Sequence, residues 1–364
     1  MSNNGLTKEQ IIDALRPVKD PEIGRSLVDL GMIKDVVING HDVTVHVELT
    51  TPACPLREDI KNDVTAAVKG VSGVNDVDLK FTARVRPSGA GMTNRQQIHG
   101  VKNVIAVASG KGGVGKSTVA VNMAIALAQD GASVGLLDAD VYGPSIPMMM
   151  GIQAQPMMRD NKIIPLDVYG VKIMSIGFLI EPGKALIWRG PLVSQLVTQF
   201  LKDVDWGELD YLVVDLPPGT GDAQLTLVQQ IPLSGAVIVT TPQNVALADA
   251  VKGLAMFREV KTTILGIVEN MSYFICPNCG EETDIFGSGG GQHVSEEYEV
   301  PLLARIPLES SIRSGGDAGQ PIIVSDPTSP PAEAFRHAGR QAAARLAVDA
   351  IKKPRRERIM LRPT

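Results

Sequence analysis

"NVIAVASGKGGVGKSTVAVNMAIALA" runs from Asn103 to Ala128. An apolar run ends at Ser109, a glycine-rich loop follows, and a helix-forming stretch begins at once. Gly110, Lys111, Gly112, Gly113, Val114, Gly115, Lys116 and Ser117 satisfy the phosphate-loop pattern G-x-x-x-x-G-K-[ST] in the strand–loop–helix setting it requires. The glycines let backbone N–H groups curl round phosphate oxygens, where a side chain would block the approach. The helix N-terminus adds its positive end. Lys116 is expected to reach the β- and γ-phosphates, and Ser117 to ligate magnesium.

Outward from this loop, short continuous apolar runs alternate with longer helical stretches. After "NVIAVAS" come "SVGLLDAD", "YLVVDLPPG", "AVIVTT", "ILGIVEN" and "LLARIP". Continuous hydrophobicity marks strands covered on both faces, so residues 101–350 read as an α/β domain with a doubly wound, mostly parallel sheet. Residues 1–85 read differently, as a small α+β unit in the order α-β-β-α-β. Thr7 and Gln10 form a capping box ahead of the first helix. The alternating runs "MIKDVVI" and "VTVHVEL" meet across Asn39-Gly40, a strong hairpin signal. Residues 86–100 are rich in Gly, Pro and polar side chains and read as a linker, and residues 351–364 as a basic tail.

The chain has 364 residues, 44% apolar but 4% aromatic, so its core must be aliphatic. A net charge of −5 argues against bulk nucleic-acid affinity, and no nucleic-acid partner is expected. The N-terminus lacks the basic-then-apolar pattern of a secretory signal, and no apolar run approaches the roughly 18 residues that span a bilayer. The expected setting is cytoplasmic, with no membrane partner. Three cysteines are too few for a disulfide framework and read better as metal-binding or reactive thiols.

Acids cluster at the ends of the expected strands. Asp138 and Asp140 close "LLDADVYGPS"; two acids at a strand's carboxyl end suit magnesium and water positioning, although turn formation explains them equally well. Asp215 ends an apolar strand in "YLVVDLPPGTGD", the Walker B form, and would hold the metal through its water shell.

The string GKGGVGKST resembles the deviant Walker A loop of the MinD/ParA/nitrogenase iron-protein class of P-loop NTPases. That resemblance implies a homodimer in which Lys111 reaches the partner's nucleotide and stabilises transition-state charge. It also implies that nucleotide contacts extend from Gly110 to Thr118. By the same resemblance Asp140 orients the attacking water, Asp138 lies near magnesium, and Asn270 in "VENMS" reads adenine, which points to ATP.

Two cysteines stand in Cys276-Pro277-Asn278-Cys279-Gly280. Alone, this spacing points first to zinc, but a closed zinc ribbon needs a second pair. Cys54 lies in the other domain, and His293 is a lone candidate. A redox CxxC is the weaker reading, since that motif belongs at a helix start. If two chains meet as Lys111 implies, two such turns give Cys₄, the shell of a 4Fe–4S cluster.

GKGGVGKST, DADVYGPS, DLPPGTGD, ENMS and CPNCG, in that order, resemble the Mrp/ApbC-type iron–sulfur cluster carrier ATPases. "DPEIGRSLVDLGMIKDV" and "LTTPACPLRED" resemble the small cluster-assembly accessory domain fused to bacterial and organellar members. The resemblance implies an ATP hydrolase that takes a cluster from scaffold proteins and passes it to client apoproteins. A ParA/MinD-like spatial organiser and an ATPase with a structural zinc site are the alternatives. Cys54 is a candidate accessory thiol: it precedes a helix whose positive end would lower its pKa, and by resemblance it is that domain's reactive cysteine. A small buried residue at a turn is the competing reading.

Overall fold

The computed structural model describes residues 6–88, 97–179 and 190–352. The rest of the expected linker, 89–96, and the tail from 353 onward lie outside the described residues. The chain divides into two compact units, Met1–Arg86 and Pro87–Thr364.

In the first unit, helix α1 (Lys8–Leu15) opens on the capping box. The Gln10 N–H donates to Thr7 Oγ1 at 3.3 Å and the Thr7 N–H donates to Gln10 Oε1 at 3.0 Å. Such a cap is worth about 1 kcal/mol. Strands β1 (Ile33–Asn39) and β2 (Asp42–Leu49) pair antiparallel across Gly40, whose φ of 66° suits the Asn-Gly turn. Helix α2 (Arg57–Lys69) returns the chain to β3 (Asp76–Ala83), which lies parallel to β2. Val43, Val45, Val47 and Leu49 alternate inward from β2 and pack with Ile11 and Leu15 of α1 and Ile60, Val64 and Val68 of α2. The sheet is therefore covered on one face, as its alternation demands.

The second unit begins with β4 (Val101–Ala108), α3 (Lys116–Gln129), β5 (Val134–Asp138) and α4 (Ile146–Met149). Two short strands, β6 (Met157–Arg159) and β7 (Lys162–Ile164), make a hairpin. Then come β8 (Leu166–Val168), β9 (Val171–Ser175), α5 (Gly190–Asp203), β10 (Leu209–Asp215) and α6 (Asp222–Gln230). They lead to β11 (Gly235–Thr240), α7 (Asn244–Glu259) and β12 (Ile264–Glu269). A second hairpin, β13 (Phe274–Ile275) and β14 (Glu282–Thr283), precedes α8 (Gly290–Glu297) and β15 (Leu302–Arg305). Helices α9 (Ser310–Asp317), α10 (Ile322–Ser325) and α11 (Pro330–Lys352) complete the described chain.

Eight strands form one sheet in the order β15-β12-β11-β4-β10-β5-β9-β8. All pairs are parallel except β8–β9 at the edge. Val104, Ala106 and Ala108 of β4 join a core with residues of α5, α6 and α7, while their fully buried neighbours Ile105 and Val107 point to the other face. Burying each such valine or isoleucine side chain contributes about 1.5–3 kcal/mol. The sheet is thus doubly wound, and the carboxyl ends of β4, β5, β10, β11 and β12 open at one rim. No helix among the described residues is long and apolar enough to cross a membrane.

Candidate functional site

Sheet register assembles the first half of the site. Asp215 closes β10 between its neighbours β4 and β5, paired with Val107 on one side and Asp138 on the other. The loop after β4 runs over this point and enters α3 at Lys116. Gly113 and Gly115 hold φ of 80° and 82°, a backbone that favours glycine. A Cβ on Gly115 would stand 2.1 Å from Asn270 Nδ2, so the loop also needs glycine for room.

Lys116 and Ser117 converge on Asp215. The Lys116 ammonium is 2.6 Å from Asp215 Oδ1 and 3.3 Å from Asp140 Oδ2, and the Ser117 hydroxyl donates to Asp215 Oδ2 at 2.6 Å. Lys116 and Asp215 are both buried. Burial lowers the Lys116 pKa, but the Asp215 and Asp140 carboxylates outweigh it, and the net shift is upward. Burial raises Asp215 as well, against the pull of the Lys116 ammonium.

Asp138 sits apart in role. Its carboxylate accepts from the Ser175 hydroxyl at 2.9 Å, the Asp140 N–H at 3.2 Å and the Ile146 N–H at 3.4 Å. It therefore ties the loop after β5 to the end of β9. Burial, aided by the Asp215 charge, pushes its pKa up to about 8. Asp140 accepts from the Tyr142 N–H and keeps its other oxygen toward Lys116. Lys111 is exposed on the loop. Asn270, just past β12, donates from Nδ2 to the Val114 carbonyl at 2.9 Å and so touches the phosphate loop directly.

The cysteines occupy a different kind of place. Cys276 and Cys279 lie between β13 and β14 in a tight turn: the Cys276 N–H donates to the Glu281 carbonyl, the Gly280 N–H returns to the Cys276 carbonyl, and Gly280 takes φ of 74°. Cys276 is half-buried and Cys279 exposed. Backbone N–H groups of Cys279 and Asn278, with the Cys279 side chain, hold the Cys276 thiol below its usual range. Among the described residues no three His, Cys, Asp or Glu side chains gather as a metal site. His293 does not complete the pair; it is exposed on α8, 3.7 Å from Glu297.

Of the two readings of Cys54, burial favours the small buried residue at a turn. It does precede α2 and receives a backbone hydrogen bond from Leu56, but burial dominates and pushes its thiol up to about 11. The helix-end effect expected from its position is too weak to offset that desolvation.

Two residues of this unit were given no role by the sequence, although Glu269 opens the ENMS string. Glu269, buried at the end of β12, accepts from the Ser272 hydroxyl and the Gly291 N–H. Arg305, closing β15, donates to Ser272 Oγ at 2.9 Å. The readable trace was a lone acid ending the apolar run "ILGIVE".

Residues 100–343 match the model of the NUBPL iron-transfer P-loop NTPase family. The chain belongs to this family. Residues 8–79 match the model of an iron–sulfur cluster assembly protein. An iron–sulfur cluster carrier protein of Synechocystis is 53% identical over 352 residues, covering 95% of this chain and 99% of the relative. One of Escherichia coli is 47% identical over 84% of each chain. Among solved structures, a nucleotide-binding protein of Archaeoglobus fulgidus in complex with ADP is 42% identical, with a TM-score of 0.58, covering 65% of this chain and 92% of that one. The cell-division ATPase MinD of Pyrococcus furiosus, 22% identical with a TM-score of 0.50 over 66% of this chain and 97% of its own, shares the fold. The family member is therefore a P-loop NTPase joined to an assembly-type domain.

Proposed function

We propose that the protein hydrolyses ATP at the phosphate loop and carries a 4Fe–4S cluster on Cys276 and Cys279, taking it from scaffold proteins and delivering it to apoproteins in the cytoplasm. One observation carries this reading. The phosphate loop and two thiols, Cys276 half-buried and Cys279 exposed, follow strands that end at one rim of one sheet, and the thiols would supply half of a tetrahedral shell. A second copy of the chain supplies the other half, which gives Cys₄ and a homodimer. The cluster is cargo, held near the surface where a client can reach it.

In this reading the backbone N–H groups of Gly110 to Ser117, with Thr118 behind them, cradle the phosphates, and Asn270 contacts adenine. Lys116 leaves its carboxylate partners for the β- and γ-phosphates. Lys111 reaches across to the partner's nucleotide, where its charge offsets the charge developing on the transferred phosphoryl group. Asp140 holds the attacking water and accepts its hydrogen bond. The Ser117 hydroxyl and Asp215 carboxylate are hard oxygen donors already side by side, the donor set magnesium prefers. They would hold Mg2+, with Asp138 behind them, and the ion would neutralise charge on the phosphate oxygens. Cys54, a protonated thiol at neutral pH, serves at most as an accessory contact for a cluster in transit.

The test is anaerobic reconstitution of the full chain with iron and sulfide, beside Cys276→Ala/Cys279→Ala. A broad visible absorbance band with about two irons per chain, lost in the variant, supports a bridged Cys₄ cluster. Zinc at about one per two chains, with no cluster, would establish the structural-zinc alternative instead.

A further inference from the structure

The segment that carries the cysteines is clamped at its base by one buried carboxylate. Ser272 stands at its entrance and Gly291 at its exit, and both hydrogen-bond to Glu269, the hydroxyl of one and the N–H of the other. The exit is fitted closely: a Cβ on Gly291 would lie 2.7 Å from Glu269 Oε2. The bond at Gly291 also places a carboxylate in the first turn of α8, where the helix dipole favours negative charge.

Arg305 extends the clamp into the hairpin. Its Nε lies 3.7 Å from Glu269 Oε1 and donates to Ser272 Oγ, and its Nη2 lies 3.7 Å from Glu282 Oε1 on β14. The guanidinium also lies over the Tyr273 ring, 5.1 Å from its centroid. On the other side, the residue after Glu269 is Asn270, bonded to the Val114 carbonyl in the phosphate loop. One peptide step therefore separates the group that touches the phosphate loop from the group that holds the cysteine segment.

We propose that Glu269 and Arg305 are positioning residues that couple nucleotide occupancy to the pose of the Cys276–Cys279 hairpin. This rests on the reading that nucleotide binds at the phosphate loop. A nucleotide that shifts Gly115 or Asn270 moves the end of β12. Glu269 passes the shift to both ends of the cysteine segment, and Arg305 passes it to β14. The linkage is reciprocal, so a ligand on the thiols changes nucleotide affinity by the same factor.

The experiment needs no cluster. Alkylation rates of Cys276 and Cys279 are read by peptide mass mapping, with and without Mg-ADP or a non-hydrolysable ATP analogue. In wild type, nucleotide changes the rate by about fivefold or more, the usual range of such coupling. In Glu269→Gln the glutamine can still accept from Gly291, but its charge for Arg305 is gone, and the response falls to less than about twofold. Arg305→Gln behaves alike, and Glu282→Gln, at an exposed position on β14, loses part of the response. Nucleotide affinity, measured alongside, shows that the ligand is bound. A wild type whose thiols ignore bound nucleotide overturns the proposal, and so do variants that keep the full response. Failure of nucleotide to bind at all instead removes the underlying reading, and a hairpin that never takes a cluster leaves the coupling result intact.

Discussion

At the phosphate loop most functional side chains are already engaged by their own chain, the exposed Lys111 apart. Lys116 is buried against Asp215 and Asp140, Ser117 donates to Asp215, and Gly115 leaves room for Asn270. At the cysteine hairpin the Cys276 thiol is held by Cys279 and nearby N–H groups, and it is half-buried while Cys279 is exposed. Both regions follow strands of one sheet, β4 and β12. The difference is between side chains gathered by strand register and a pair of thiols carried on a hairpin beyond the sheet. Groups brought together by register are stabilised by burial and by each other, so damage there costs stability and chemistry together. The hairpin thiols can be changed with little cost to the fold.

The sharpest way to break this contrast is Lys116→Met. It should lower ATP hydrolysis on the order of a thousandfold. It also leaves Asp215 buried without its cation, which destabilises by about 3–5 kcal/mol. Lys116→Met/Asp215→Asn should recover most of that stability in denaturant melts while remaining inactive. If Lys116→Met were as stable as wild type, the buried pair would not hold the site as described.

Gly115→Ala comes next. The alanine must hold a left-handed backbone and displace the Asn270 amide from the Val114 carbonyl. A penalty of about 2 kcal/mol follows, or roughly 30-fold in nucleotide affinity by titration calorimetry. An unchanged affinity would mean that the loop does not need this glycine.

Much of this was legible beforehand, and the reason is local. A capping box, an Asn-Gly turn and a phosphate loop are each specified by residues within a few positions of one another, so Thr7, Gly40 and Gly115 could be read without the fold. The apolar runs also revealed themselves, because a strand covered on both faces has no polar alternation. Glu269 and Arg305 could not be read. Their partnership depends on β12 and β15 lying side by side, which is a property of topology. Cys54 stayed open between two readings for a related reason: sequence shows the helix that follows it, while desolvation depends on the packing around it.

The cysteines give a smaller contrast, within one chain. Cys276 titrates below its usual range and Cys54 only near about 11. Alkylation followed by peptide mapping at pH 8 should favour Cys276 by about tenfold or more, since thiolate fraction outweighs the lower nucleophilicity of the more acidic thiol. Equal rates would show that Cys54 is activated after all, and would return it to the cluster pathway.

The smallest effect distinguishes two aspartates one strand apart. Asp138 holds its proton to about pH 8 in the folded chain, whereas in the unfolded chain it loses it from the usual carboxylate value of 3.8 upward. Between those values the folded state binds more protons, so this group makes stability fall as pH rises. The loss ends above the folded value, where both states are ionised. One such group contributes a slope of at most about 1.4 kcal/mol per pH unit. Asp138→Asn cannot ionise, so its melting temperature, measured without nucleotide from pH 5 to 8, should decline less steeply than that of wild type. Asp215→Asn should flatten the decline in the same direction, because burial raises that carboxyl too, but by less, since the Lys116 ammonium at 2.6 Å opposes the proton there. Equal flattening in both variants would mean that the two carboxylates share one proton, and that strand register makes them a pair rather than two sites with separate work.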